Sequence, residues 1–255
     1  MTAAEAAILL AASLGGGLMN AIAGGGTLLT FPALIFAGLP AITANATSTV
    51  ALWPGALASM YGYRREVAEH RVWLRTLFVP SIAGGILGAV LLLRTPLSTF
   101  ERLAPFLILF ATILFLLQET LWKSSGEPPL RGDRRRLVLA WVLQFAISVY
   151  GGYFGAGIGI LMLAVLGFLG IRDIHAANGL KNFFGMCING LAAAYFIARG
   201  AVAWPAALVM IAGAVAGGYA GARFARRIGR PKARAAVVAI GFLMAGVLLW
   251  QQWMR

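Results

Sequence analysis

The chain has 255 residues, of which 60% are hydrophobic and 11% charged, and its formal net charge is +13. A soluble globular domain carries about 25% charged residues, so this composition excludes an ordinary soluble protein and indicates one embedded in a lipid bilayer. The positive charge does not indicate nucleic-acid binding, because the arginines occupy short gaps between apolar runs and form no basic face interleaved with aromatic residues.

Apolar segments run through the whole chain and predict an all-α, polytopic membrane protein. A membrane-spanning helix needs about 20 predominantly apolar residues. Eight segments satisfy this length, near 4–22, 43–62, 72–93, 100–122, 137–155, 175–198, 202–222 and 235–253. Two shorter apolar pieces, 27–38 and 159–170, each follow a glycine cluster, which predicts half-helices.

Lysine and arginine are concentrated in three of the gaps between these segments. The gaps 63–75, 123–136 and 223–234 hold fifteen of these residues, whereas the gaps 94–102 and 199–201 and the two termini together hold four. The positive-inside rule places the three rich gaps in the cytoplasm of a bacterial inner membrane. A half-helix and the helix before it must then, as a pair, cross the membrane an even number of times. The pair is either a re-entrant hairpin or two crossings. Both termini are therefore expected outside.

The sequence repeats itself at a shift of 133 residues. This shift aligns Gly24 and Gly26 with Gly157 and Gly159, and Asn45 with Asn178. It also aligns the small-residue stretches 83–89 and 216–222. We therefore predict two repeats of four full helices and one half-helix each, 1–122 and 137–255, joined by a cytoplasmic linker, 123–136. The charge distribution orients the repeats oppositely, which is typical of secondary transporters.

The two glycine breaks are the first candidate site. Consecutive glycines weaken a helix, and in lipid such breaks persist mainly where they line a cavity. The amides at the start of each half-helix then favour an anion. The alternative is close helix packing through small residues, which is the preferred interpretation for Gly84, Gly85 and Gly88 and for their equivalents Gly217, Gly218 and Gly221. The substrate-binding residues predicted at the breaks are Asn20, Gly25, Gly26, Thr27 and Gly157.

A polar run in each half is the second candidate site. Its predicted substrate-binding residues are Asn45, Thr47, Ser48, Asn178, Lys181 and Asn182. Asparagine, serine and threonine can donate hydrogen bonds to an oxyanion, whereas Thr47 and Thr49 can also simply bond their own helix backbone. Lys181 is the only lysine or arginine deep within an apolar segment, where a cation costs about 3 kcal/mol. Its alternative is to extend toward the cytoplasmic surface.

Asp173 and His175, at the start of the same segment, allow two interpretations. An N-cap is the simpler role for Asp173, and proton coupling through the pair is the alternative. Asn189, farther along, is either a packing or a pore residue. The two histidines lack a zinc-binding spacing, the single cysteine excludes a cysteine-cluster metal site, and no catalytic motif is present. We therefore expect no enzyme, no cofactor and no metal.

The opening of the chain resembles a known family. Gly24 to Leu34, Gly38-Leu39-Pro40 and Ala44-Asn45-Ala46-Thr47-Ser48 are similar to the repeated pattern of the TauE/SafE sulfite-exporter family of membrane permeases. The resemblance implies export of sulfite or of a small organosulfonate such as sulfoacetate, and it leaves a homodimer open. The second half departs from the pattern, since Val165 stands where a proline is usual and Gly-Ile-Gly replaces the uninterrupted glycine run.

The leading hypothesis is thus a secondary transporter that exports a small sulfur-containing anion across the lipid bilayer by alternating access. A non-transporting membrane scaffold or assembly factor is the alternative, in which the polar runs pack against a partner. A cation transporter would need carboxylates, thiolates or histidines at depth, and the sequence offers almost none.

Overall fold

Ten α-helices and no strand make up the part of the chain that the computed structural model describes, namely residues 1–22, 24–62, 67–68, 70–124, 134–171, 173–224 and 230–253. The helices are α1 (Ala3–Ile22), α2 (Thr27–Phe36), α3 (Ala41–Gly62), α4 (Arg71–Arg94), α5 (Leu97–Ser124), α6 (Arg134–Tyr153), α7 (Ile158–Phe168), α8 (Ile174–Ala198), α9 (Trp204–Phe224) and α10 (Arg230–Trp253). The all-α prediction is confirmed. Most of the predicted linker, 125–133, lies outside the described residues.

Five of the described helices are long and apolar enough to cross a membrane, fewer than the eight segments predicted. They are α1, α4, α5, α8 and α9. The polar run of α3 lowers its mean hydropathy. The apolar parts described for α6 and α10 are shorter, Leu137–Tyr153 and Val238–Trp250.

The two predicted half-helices are present as α2 and α7. They contain 10 and 11 residues, about half of the 20 or so residues that a full crossing requires. Gly24 precedes α2 with φ +82° and Gly157 precedes α7 with φ +75°. This left-handed backbone strongly favours glycine, which explains why a glycine cluster lies directly before each of the two short helices.

Helices α1–α5 and α6–α10 correspond one to one, each starting within a residue or two of the position given by the 133-residue shift. Their packing is exchanged. The first helix of each half packs against the fourth helix of the other half, α1 against α9 and α6 against α4. At the contact between α3 and α8, the Trp53 Nε1 donates a hydrogen bond of 3.1 Å to the carbonyl of Met186, its own equivalent residue.

Glycines make these exchanged pairs close. A Cβ atom on Gly217 would overlap the Leu14 carbonyl oxygen, and one on Gly88 would overlap the Val149 carbonyl oxygen. The helices therefore touch backbone to backbone, as small residues allow within membranes. The close-packing interpretation of these glycine-rich stretches is confirmed.

Candidate functional site

A cavity of about 50 Å³ lies where the two half-helices begin. Its walls come from both halves of the chain: Asn20, Gly24, Thr27, Thr49, Leu52, Ala56, Gly155, Ile158, Gly159, Met162, Lys181, Asn182, Gly185, Met186 and Asn189. A Cβ atom on Gly24 would lie 3.1 Å from the Cα of Gly159. The two glycine breaks thus meet at this cavity, and side chains larger than hydrogen would separate them.

Lys181 supplies the charge of the cavity. Its side chain lines the wall and is only 3% exposed, so it does not extend to a solvated surface. None of the described residues lining the cavity is acidic. An ammonium group at this depth is costly to bury, which marks Lys181 as a candidate functional residue.

Asn182, the neighbour of Lys181, presents a hydrogen-bond donor at the same wall. The residue is 8% exposed, and its Nδ2 has no hydrogen-bond partner within the described part of the chain. Leaving a buried donor unpaired costs about 1–3 kcal/mol. Together with Lys181, the amide gives this wall the charge and the donor that suit an oxyanion.

Asn20 lines the cavity and holds the start of α2. Its Oδ1 accepts a hydrogen bond of 2.8 Å from the Gly26 amide. Thr27, the first residue of α2, also lines the cavity. Gly25 and Gly26 serve close packing, because a Cβ atom at Gly25 would overlap the ring of Phe115 and one at Gly26 would overlap the carbonyl of Gly16.

Replacing Asn20 by leucine is expected to lower the free energy of unfolding by about 1–3 kcal/mol, because the Gly26 amide loses its acceptor. Thermal unfolding of the detergent-solubilised protein measures the change. Asn189→Leu is the matched control, since it makes the same substitution in the same cavity without removing a hydrogen bond described for this chain. An equal loss of unfolding free energy in both variants would show that Asn20 does not hold the start of α2.

The other predicted polar residues bond to protein groups away from the cavity wall. The Asn45 Nδ2 donates to the Tyr153 carbonyl at 2.9 Å, and the Asn178 Nδ2 donates to the Ile174 carbonyl at 2.8 Å. The Thr47 Oγ1 accepts from the Ala203 amide at 3.0 Å. The Ser48 Oγ lies 2.6 Å from the Thr30 Oγ1. These side chains join α3 to its neighbours or stay within α8.

Several lining residues were not among the predicted substrate-binding residues, notably Thr49, Met162 and Met186. Asn189 also lines the cavity, as its interpretation as a pore residue expects. It lies seven residues after Asn182, with Gly185 between them, so the three share one face of α8. The methionines carried no such signal, because apolar residues surround them on both helices.

Asp173 and His175 lie at the start of α8 and do not line the cavity. The Asp173 carboxylate accepts hydrogen bonds from the amides of His175 and Ala176, at 3.0 and 3.4 Å. The N-cap interpretation of Asp173 is confirmed, and proton coupling stays a prediction. Gly157 is the backbone turn before α7, between the lining residues Gly155 and Gly159.

Comparison with known proteins gives the family. The family model described as "Sulfite exporter TauE/SafE" matches residues 9–248, nearly the whole chain. The chain belongs to the TauE/SafE family. The family resemblance suggested by the glycine and asparagine motifs is thereby confirmed, and the family indicates a multi-pass membrane transporter.

Curated relatives of this TauE/SafE protein cover almost all of its length. A "Probable membrane transporter protein" of Haemophilus influenzae is 30% identical over 249 residues, which are 96% of this chain and 95% of the relative. The "Probable membrane transporter protein YfcA" of Escherichia coli strain K12 is 28% identical, covering 92% and 86%. The "Probable membrane transporter protein ORF9" of Sinorhizobium sp. is 28% identical, covering 95% and 92%. No solved structure matches significantly.

Proposed function

We propose that this chain is a secondary transporter that exports sulfite, or an organosulfonate such as sulfoacetate, across a bacterial inner membrane by alternating access. The observation that carries the proposal is the pair Lys181 and Asn182. A buried cation and an unpaired buried donor line one small cavity, at the point where both half-helices begin.

The size and chemistry of the cavity suit a small oxyanion. One water molecule needs a cavity of about 10–15 Å³. The cavity of about 50 Å³ therefore accommodates a group of only a few atoms. Lys181 supplies charge, and Asn182, Asn20 and Thr27 carry amide or hydroxyl donors. The starts of α2 and α7 add their positive helix ends. An organosulfonate would place its sulfonate here and needs extra room for its carbon chain.

We further propose that the two repeats, 1–122 and 137–255, are inverted, with both termini outside and with each of the pairs α1–α2 and α6–α7 crossing the membrane an even number of times. The helix correspondence, the exchanged packing and the distribution of lysine and arginine support this arrangement. Because α1 is packed on α9 and α6 on α4, neither repeat can move alone. The moving bodies would be α1, α3 and α9 on one side and α4, α6 and α8 on the other, with the cavity between α3 and α8.

Flux into and out of proteoliposomes tests the function. Purified protein is reconstituted, and the movement of labelled sulfite and labelled sulfoacetate is compared with that in protein-free liposomes and with that of a sodium tracer. We expect flux of at least one of the two anions and none of sodium. A scaffold or assembly factor predicts no anion flux and no anion-dependent rise in thermal stability, and that combination would overturn the proposal.

A further inference from the structure

A second, much larger cavity opens one helical turn from the central one. It has a volume of about 980 Å³, and its walls include Phe31, Ala41, Ser98, Arg102, Met244 and Leu248. On α2, Thr27 lines the central cavity and Phe31 lines this larger cavity. Four residues advance a helix by about 6 Å. The linings of the two cavities are therefore one helical turn apart on α2.

Three phenylalanine rings pack together at this part of α2. Phe31, Phe100 and Phe154, here called the phenylalanine cluster, are at most 1% exposed. The ring centroid of Phe31 lies 5.4 Å from that of Phe154 and 6.4 Å from that of Phe100. Phe31 faces the larger cavity, and Phe154 immediately precedes Gly155 in the wall of the central cavity. An anion cannot pass between packed rings, because no group there replaces its water.

The cluster has no equivalent on the other side of the central cavity. The 133-residue shift places Ala164 opposite Phe31 and Ala21 opposite Phe154. Alanine methyl groups cannot fill the space of two phenyl rings. The two halves otherwise correspond helix by helix. The phenylalanine cluster therefore distinguishes one side of the central cavity from the other.

We propose that the phenylalanine cluster is the gate between the central site and the larger cavity, which is the mouth of the transport route on that side. The proposal rests on the proposed transport function. The turn that carries Phe154 is held by a hydrogen bond of 2.7 Å from the Tyr150 hydroxyl to the Ala156 carbonyl. Opening requires this turn and α2 to separate, which moves Phe154 away from Phe31.

Site-specific thiol labelling tests the gate without any need for substrate. The single native cysteine is removed by Cys187→Ser, and one reporter is added, Ala56→Cys in the central cavity or Ser98→Cys in the larger cavity. A charged, membrane-impermeant thiol reagent is applied to right-side-out and to inside-out vesicles. The side on which Ser98→Cys reacts is the side of the mouth.

From that side, Phe31→Ala is expected to raise the labelling rate of Ala56→Cys by about tenfold, since two ring contacts are lost. Phe196→Ala is the control, because Phe196 is equally buried but lines neither cavity. Phe154→Leu provides a milder second variant if Phe31→Ala does not fold. An unchanged rate, or an equal rise in Phe196→Ala, would overturn the gate. Absence of anion flux with a Phe31-dependent labelling rate would instead count against the proposed function alone.

Discussion

Lys181→Gln is expected to weaken anion binding by about 10- to 100-fold, because a hydrogen bond to a charged group contributes about 1.5–3 kcal/mol. Glutamine keeps a donor of similar length and removes the charge from the cavity. Binding is measured as the rise in unfolding temperature that sulfite or sulfoacetate produces in the detergent-solubilised protein. Flux into proteoliposomes should fall in parallel.

The matched control for this substitution is Arg199→Gln. Arg199 lies at the carboxyl end of the same helix, α8, and is exposed, with its guanidinium 5.7 Å from the centre of the Tyr195 ring. Its loss changes the net charge by the same amount as the loss of Lys181, but far from the cavity. If both variants bind the anion as the wild type does, or weaken equally, Lys181 does not provide the anion selectivity.

Gly217→Ala is expected to destabilise the protein by about 1–3 kcal/mol, the usual cost of overpacking. The added Cβ would overlap the Leu14 carbonyl oxygen and force α1 and α9 apart. Because these helices come from different halves of the chain, separating them disturbs both halves. Thermal unfolding followed by tryptophan fluorescence measures the change.

Gly246→Ala is the internal control for that experiment. This glycine lies within α10, and a Cβ atom there would meet nothing within 4 Å. Alanine favours a helix over glycine by about 1 kcal/mol, so this variant should be neutral or more stable. A stable Gly217→Ala would show that α1 and α9 do not depend on backbone contact.

Helix positions were predictable because each depends on a local signal. The glycine clusters located the starts of α2 and α7, and the apolar lengths separated half-helices from full ones. The exchanged packing of α1 with α9 was not predictable. The stretch around Gly217 indicates a close neighbour but does not say which helix supplies it. Only the folded chain identifies Leu14 as the contact.

The cavity was predicted less completely than the helices. Lys181 was identifiable because a lone cation in an apolar segment is costly, and the structure places it at the cavity wall. The run on α3 was ambiguous, since its four polar side chains point in different directions around one helix. Thr49 faces the cavity, whereas Thr47 and Ser48 face other helices. The composition of the run alone could not show which of its side chains face the cavity.

The exchanged packing also affects how the chain enters the membrane. The partner of α1 is α9, which begins about 180 residues after α1 ends. At a synthesis rate of about 5–20 residues per second, α1 waits about 10–40 s for it. During that time the face of α1 that contains Gly17 must rest against lipid or against an insertion factor. A nascent chain that stops before Trp204 never buries this face, so translation arrest there should yield a substrate for membrane proteolysis.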